Sequence, residues 1–302
     1  MALAWLTDQE RADQAGLGIG MMLTAWLFFA LTDTAVKWLV VLGIPALQLA
    51  FMRYAVHFAL SCGVALAERR GFEPIPRRHL VLLLFRAFLL VSATVLNFIA
   101  LKYLPLTVSS AIMFSAPIIV SALSAPLLAE RVGLARWAAI LVGFAGVLIV
   151  MRPFGAEFHW ASLMVVYNAI AMALFSIITR QLAGAVRAQS MQFVMGVFGT
   201  LVLLPAAVFT WENPETLRDW ILLFALGAAA WLGHEIFSRA HSLAEASVLM
   251  PFSYSFLVYL TITSFLVFGD LPDGATLIGA GLIVVSGLWV WWQEKRRRVV
   301  RD

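Results

Sequence analysis

Apolar runs of about twenty residues follow one another from Leu17 to Trp292, separated by short clusters of Pro, Gly and charged residues. A bilayer core of about 30 Å is crossed by about 20 apolar helical residues, so each run predicts one membrane-spanning helix. Placing the breaks where the Pro, Gly and charged clusters fall predicts ten helices. They cover 17–39, 46–66, 80–101, 105–126 and 133–151, then 160–182, 190–210, 218–239, 244–268 and 274–292. The expected fold class is an all-α membrane protein with ten transmembrane helices and both termini on one side.

The pattern also repeats. Residues 100–150 and the stretch after Ala240 each contain two long apolar runs split by an acidic residue and a Gly, Glu130 and Gly133 in one copy and Asp270 and Gly274 in the other. Upstream, LFFALTDTAVKWL at 27–39 lies over IAMALFSIITRQL at 170–182, with Ala30 on Ala173 and Lys37 on Arg180. Five helices separate the copies, and an odd number inverts the second unit in the membrane, as in the inverted repeats of many secondary transporters. The expected organisation is an N-terminal cytoplasmic segment at 1–16, a first repeat at 17–151, a periplasmic connector at 152–159, a second repeat at 160–292 and a basic cytoplasmic tail at 293–302. Pro117 has Leu257 as its counterpart and Pro251 has Ala111, so the proline kinks are expected at different depths, as hinges or simple packing kinks.

Composition agrees with lipid as the solvent. The 302 residues are 62% hydrophobic and 13% charged, with mean hydropathy +0.92, against about 25% charged in ordinary soluble domains. The net charge of +4 reports orientation rather than nucleic acid as a partner. Of the 21 Lys and Arg, Arg53 and Arg86 fall inside helices and only Lys37, Lys102, Arg152 and Arg218 fall on the side opposite the termini, which predicts cytoplasmic termini. The acidic N-terminus, with no small-residue cleavage site, predicts an uncleaved first helix. Cys62 is the single cysteine, so an intrachain disulfide is excluded. The sequence has no phosphate-binding GxxxxGK[ST] loop and no HExxH, and its five His lack metal spacing, so neither a metal nor a cofactor is expected.

The ALKYLP turn, the run LLAERVGLARWAAILVGFAGVLIV, and their echoes FSRAHSLAEAS and LVFGDLPDGATLIGAGLIVVSG give the chain its family character. Over about residues 17–292 it resembles the EamA family of the drug/metabolite transporter superfamily, and within it the amino-acid exporters of the YddG type. The resemblance implies a transporter of the bacterial inner membrane, not an enzyme, with access alternating around a central cavity lined mainly by helices 1, 3, 4, 6, 8 and 9. The expected cargo is an exported amino acid with an aromatic or apolar side chain. Import of a nucleoside-like cation such as S-adenosylmethionine is the alternative, and an intramembrane lipid-modifying enzyme using His234 and Glu235 is the alternative from another class.

Candidate site residues follow from depth. An ionisable group in hydrocarbon costs about 2.5 kcal/mol or more, so each needs a partner or a water-filled cavity. Asp33 and Arg53 fall at one depth, and Arg86 and Glu235 at another, so each couple forms a candidate pair. Their repeat counterparts, Ser176, Met195, Leu226 and Val95, are uncharged, which favours gating or cargo binding; the local i,i+4 pairs Asp33 with Lys37 and Glu235 with Arg239 are the structural reading. His57 and His234 read as hydrogen-bonding or proton-relay groups, with protons as a candidate co-substrate, or as packing. Eight Trp mark the two interfaces, whereas Trp26 and Trp231 fall at mid-depth, where an indole stacks on a flat cargo or faces lipid. Asn97, Ser115, Asn168 and Tyr254 add polar groups at that depth, and Met113 and Phe252 add apolar walls. Glu130 and Asp270 read as helix-start carboxylates, and Gly143, Gly146, Gly279 and Gly281 as close-packing positions between helices 5 and 10.

Overall fold

Inside hydrocarbon every backbone polar group has to be bonded within its own segment, and this drives the apolar runs into helices. The computed structural model describes residues 8–67, 77–116, 118–119, 122–123, 134–152, 158–182, 185–186, 188–243 and 249–299, and among these no strand occurs. Pro117, Glu130, Gly133 and the basic Arg69, Arg70, Arg131, Arg187 and Arg301 lie outside the described residues. The helices are α1 (Asp8–Val41), α2 (Ala46–Ala67), α3 (Arg77–Leu101), α4 (Leu106–Met113), α5 (Leu134–Met151), α6 (Ala161–Leu182), α7 (Ala188–Phe209), α8 (Leu217–Leu243), α9 (Ser255–Phe268) and α10 (Gly274–Val299). Six stretches, Gly16–Val41, Arg77–Leu101, Ala161–Thr179, Gln189–Phe209, Leu217–Phe237 and Gly274–Trp292, are long and apolar enough to cross a bilayer, and Trp137–Met151 and Phe252–Phe268 are shorter apolar helices. Large apolar side chains such as Leu141, Phe144, Leu201, Phe265 and Val285 are exposed on the outside, which only lipid covers without penalty. The chain is a multi-pass membrane protein.

Two expected helices are interrupted. The run expected over 105–126 stops at Met113 and turns at Phe114 and Ser115 before helical residues resume at Ala116. Residue 117 is a proline and has no N–H to offer the carbonyl of Met113, four residues back. The exposed donors are satisfied locally, Phe114 N to Ser110 O at 3.0 Å and Ser115 Oγ to Ile112 O at 2.7 Å. The run expected over 244–268 instead passes through a 3₁₀ segment, Met250–Tyr254, with Pro251 in its first turn, and becomes α-helical at Ser255. The register that sets Ala111 over Pro251 also sets Phe114 over Tyr254, and these rings pack 5.1 Å apart. The expectation of kinks at different depths is therefore corrected, because both breaks meet at one level.

Helix pairing follows a regular scheme. The main contacts are α1 with α8, α3 with α6, α2 with α7, α5 with α10 and α4 with α9, joined by α2 with α8, α3 with α7, α1 with α9 and α4 with α6. Exchanging α1–α5 for α6–α10 maps this set onto itself. The α5–α10 crossing is reciprocal at atomic level. A Cβ on Gly146 would meet the Gly279 carbonyl at 2.7 Å, and a Cβ on Gly279 would meet the Gly146 carbonyl at 2.6 Å. The related positions across the crossing are joined by a hydrogen bond from Ser286 Oγ to the Ala139 carbonyl. Gly143 is equally crowded, by Ile118 and Ser286, but Gly281 has nothing within 4 Å of its would-be Cβ and takes no part in the interface.

Polar ties close one face, the one that holds the α1–α2 turn. Lys37 Nζ bonds Asp270 Oδ2 at 3.0 Å, across 233 residues of sequence, and lies 4.7 Å from the Phe268 ring centroid. Arg152 pairs with Asp273. Gln48 donates from Nε2 to the Glu212 carbonyl at 2.8 Å and accepts from the Glu212 N–H at 2.9 Å. The expected Asp33–Lys37 pair is replaced by the longer-range one. Asp270 is consequently a partner of α1, while the N-terminus of α10 is capped by Asp273 Oδ1, which accepts from Thr276 N at 2.9 Å.

Three outcomes follow from these contacts. Gly279→Val destabilises the purified protein by about 1–3 kcal/mol, seen as a lower Tm in detergent, because the backbones have to separate. Gly281→Ala leaves Tm unchanged or raised, since Gly costs about 1 kcal/mol in a helix interior and nothing obstructs the methyl group. In a double-mutant cycle on Tm, Lys37→Ala and Asp270→Ala couple by about 0.5–1 kcal/mol, the modest value expected when one partner is 9% and the other 42% exposed.

Candidate functional site

Three residues on one stripe of α1, Trp26, Phe29 and Asp33, have the i, i+3, i+7 spacing of a single helix face and organise the interior in layers. In the deepest layer the Trp26 indole lies among Phe29, Phe114, Phe237 and Phe256, at centroid separations of 5.5, 6.2, 6.1 and 5.4 Å. These rings come from α1, the break after α4, α8 and α9, and Tyr254 joins them through Phe114. Phe252 packs on the outer side of Trp26, with Met22, Ala240 and Leu249. The Trp26 Nε1 donor is buried and has no partner among the described residues. Four ring contacts, each worth about 0.5–1.5 kcal/mol beyond burial, outweigh the roughly 1–3 kcal/mol cost of one unmade buried donor. The indole therefore stays in place with its N–H available.

One turn along α1, Phe29 meets His234 of α8 at 4.9 Å, and His234 lies 6.2 Å from His57 of α2. His57 is 3% exposed, and its Nε2 also lacks a partner among the described residues. Gly233 makes this approach feasible, since a Cβ there would meet the Phe29 ring at 2.7 Å.

The third layer is polar. Asp33 lies near the Asn97 side chain of α3 and feels the charge of Arg53 from α2. Asn97 Oδ1 also accepts from Ser109 Oγ at 3.3 Å. Arg53 Nη1 donates to Thr94 Oγ1 at 2.9 Å, Thr94 shares a 2.8 Å hydrogen bond with the Tyr54 hydroxyl, and the guanidinium lies 5.7 Å and 5.8 Å from the Tyr54 and Phe98 centroids. The expected Asp33–Arg53 association is thus electrostatic, while the direct hydrogen bond of Arg53 goes to Thr94.

The other expected pair, Arg86 with Glu235, does not form. Arg86 is 4% exposed, donates from Nε to Thr179 Oγ1 at 2.7 Å and lies 4.1 Å from the Phe175 centroid, so it joins α3 to α6. Glu235 accepts from Arg239 Nε at 2.9 Å, one turn along the same helix, as the local reading had it. Asn168 Nδ2 reaches Met113 Sδ at 3.6 Å, linking α6 to α4, and Ser115 spends its hydroxyl on its own helix. Trp231 is half-buried on α8 and belongs to none of the ring contacts around Trp26.

Sequence reasoning missed Phe29, Phe114, Phe237, Phe256 and Thr94. The 26, 29, 33 stripe was the signal for Phe29, whereas the others sit among many apolar residues and only packing singles them out. Chemically, this cluster offers aromatic faces, an indole donor, an imidazole edge and a carboxylate, an amide and a guanidinium in the neighbouring layer. That set suits holding a flat, hydrogen-bonding molecule. Among the described residues no three of His, Cys, Asp and Glu cluster as metal ligands.

The EamA-like transporter family matches the chain twice, over residues 16–152 and 159–292. A riboflavin transporter of Vibrio cholerae is 29% identical over 93% of this chain and 95% of its own length. An S-adenosylmethionine uptake transporter of Rickettsia bellii is 32% identical over 65% and 67%, and a pseudopaline exporter of Pseudomonas aeruginosa is 28% identical over 80% and 85%. A solved protein structure superposes with a TM-score of 0.63 at 19% identity, covering 94% of this chain and 98% of that one, which shows a shared fold. The protein is accordingly a transporter and not an enzyme, and the chain belongs to the EamA-like transporter family.

Proposed function

We propose that this chain is a secondary transporter of the bacterial inner membrane that carries a flat heteroaromatic metabolite with a polar substituent. The carrying observation is the aromatic cluster around Trp26, with its unmade indole donor beside the Asp33, Asn97 and Arg53 side chains. An isoalloxazine or a purine has a π-face for the rings and edge acceptors for the indole N–H. Relatives named as a riboflavin transporter and an S-adenosylmethionine uptake transporter support this choice, since both named cargoes join a flat heterocycle to a polar chain. Aromatic amino acids are the smaller cargo that suits the same wall, with Asp33 and Arg53 for the zwitterion.

In this reading the two family matches are five-helix units, 17–151 and 160–292, inverted with respect to each other, and both termini are cytoplasmic. The symmetric helix pairings and the repeated α5–α10 contacts support the inversion. Access alternates by rocking one unit against the other around the Trp26 cluster. The ties Lys37–Asp270, Arg152–Asp273 and Gln48–Glu212 join the two units on the closed face and have to part when that face opens.

Reconstituted into proteoliposomes, the protein gives saturable flux of labelled riboflavin, tested with the gradient in each direction, and excess Phe, Trp or Met leaves that flux largely intact. Saturable flux of Phe or Trp with none of riboflavin returns the amino-acid reading, and competition by S-adenosylmethionine measures the cationic alternative. Within the active assay, Trp26→Ala lowers flux about tenfold, the worth of roughly 1.4 kcal/mol of ring contact, while Trp231→Ala keeps most of it. Equal rates in both variants would remove Trp26 from the site.

A further inference from the structure

A concavity lies away from the Trp26 cluster, on the opposite side of α1. It is a groove of about 460 Å³ between α1, α8 and α9, walled by Phe28, Leu31 and Trp38, by Leu222, Ala225 and Ala229, and by Val267. It opens sideways, since Leu31 and Val267 on its rim are 45% and 41% exposed among the lipid-facing residues. The walls are apolar in effect. Thr34 contributes, but its hydroxyl is spent on the Ala30 carbonyl at 2.7 Å and on Thr263 at 2.8 Å.

The groove has a polar end and a length. From Phe28 to Trp38 along α1 is ten residues, about 15 Å at the helical rise, which is half of a hydrocarbon core of about 30 Å. The groove thus runs from mid-membrane to the interface of one leaflet, on the side of the α1–α2 turn. At the interfacial end sits Arg218, whose guanidinium lies 4.7 Å from the Trp38 centroid. Arg218 gives Nε to Asp219 Oδ1 at 3.3 Å, and its side chain remains 60% exposed. The Asp219 carboxylate is itself held by Thr216, through Oγ1 at 2.6 Å, and is 4% exposed, so it faces inward rather than toward the interface. Neither Nη of Arg218 has a hydrogen bond among the described residues.

A cation at headgroup depth above an apolar slot one leaflet long has the charge and shape of one ligand class. We propose that this groove is a specific site for a glycerophospholipid, with its phosphate on the Arg218 guanidinium and one acyl chain laid along Leu31, Ala225 and Ala229. A guanidinium binds phosphate through paired, charge-assisted hydrogen bonds. The acyl chain exchanges one apolar surround for another, so its burial adds little by itself. Selectivity over the surrounding bilayer therefore comes from Arg218 and from the shape of the slot.

The test uses the full chain in mild detergent, incubated with phosphatidylglycerol or with diacylglycerol of the same chains and examined by native mass spectrometry. Wild type retains one phosphatidylglycerol, with occupancy at least about fivefold above that of Arg218→Gln, as loss of a charge-assisted contact requires. Ala229→Trp, which fills the slot, loses the lipid as well, and diacylglycerol is retained no better by wild type than by Arg218→Gln. Leu201→Trp, on the exposed face of α7, leaves retention unchanged. Equal retention by wild type and Arg218→Gln, or retention that survives in a folded Ala229→Trp or Ala225→Phe, overturns the site.

Discussion

Every feature of this molecule answers to the absence of water around its middle. A peptide group in hydrocarbon has no solvent to bond, so the chain is helical wherever lipid touches it, and it departs from helix only where protein surrounds it. The two departures at mid-chain depth, Phe114–Ser115 and Met250–Tyr254, are placed together in the interior and pack ring against ring. Phe114 of the first break packs on Trp26, and Tyr254 of the second packs on Phe114. The breaks thus build part of the aromatic cluster.

Charge is handled by the same logic. Arg53 is divided among Thr94 and two ring faces, Asp33 lies near Asn97, and Arg86 rests on Phe175 with Thr179 at its Nε. None of these uses a direct buried ion pair, whose desolvation cost rivals its attraction. Hydroxyls, an amide and aromatic faces stabilise each charge while leaving it able to exchange partners. Direct ion pairs are kept for the ends of the helices, at Lys37–Asp270 and Arg152–Asp273, where water offsets the cost of breaking them. The proposed alternation of access suits this division, with close packing at the Gly146–Gly279 crossing and exchangeable contacts at the rim.

The sequence by itself determined the solvent and the family, matched twice along the chain, because a span of about 20 residues is a matter of local composition against a fixed membrane thickness. It also singled out Trp26, Asp33, Arg53, His57, Asn97 and His234 as polar or aromatic groups inside apolar runs, since that is counted along the chain. Which way each side chain faces was decided only by the tertiary structure. In a soluble protein the polar stripe of a helix marks its outside, but here the lipid face and the packed face are equally apolar and periodicity cannot separate them. For that reason Trp26 and Trp231 look alike in sequence, yet only Trp26 stands among the rings, and Gly279 meets a backbone where Gly281 meets nothing. Lys37 likewise chose Asp270 over its near neighbour Asp33, because a partner 233 residues away is brought close by packing that no local pattern encodes.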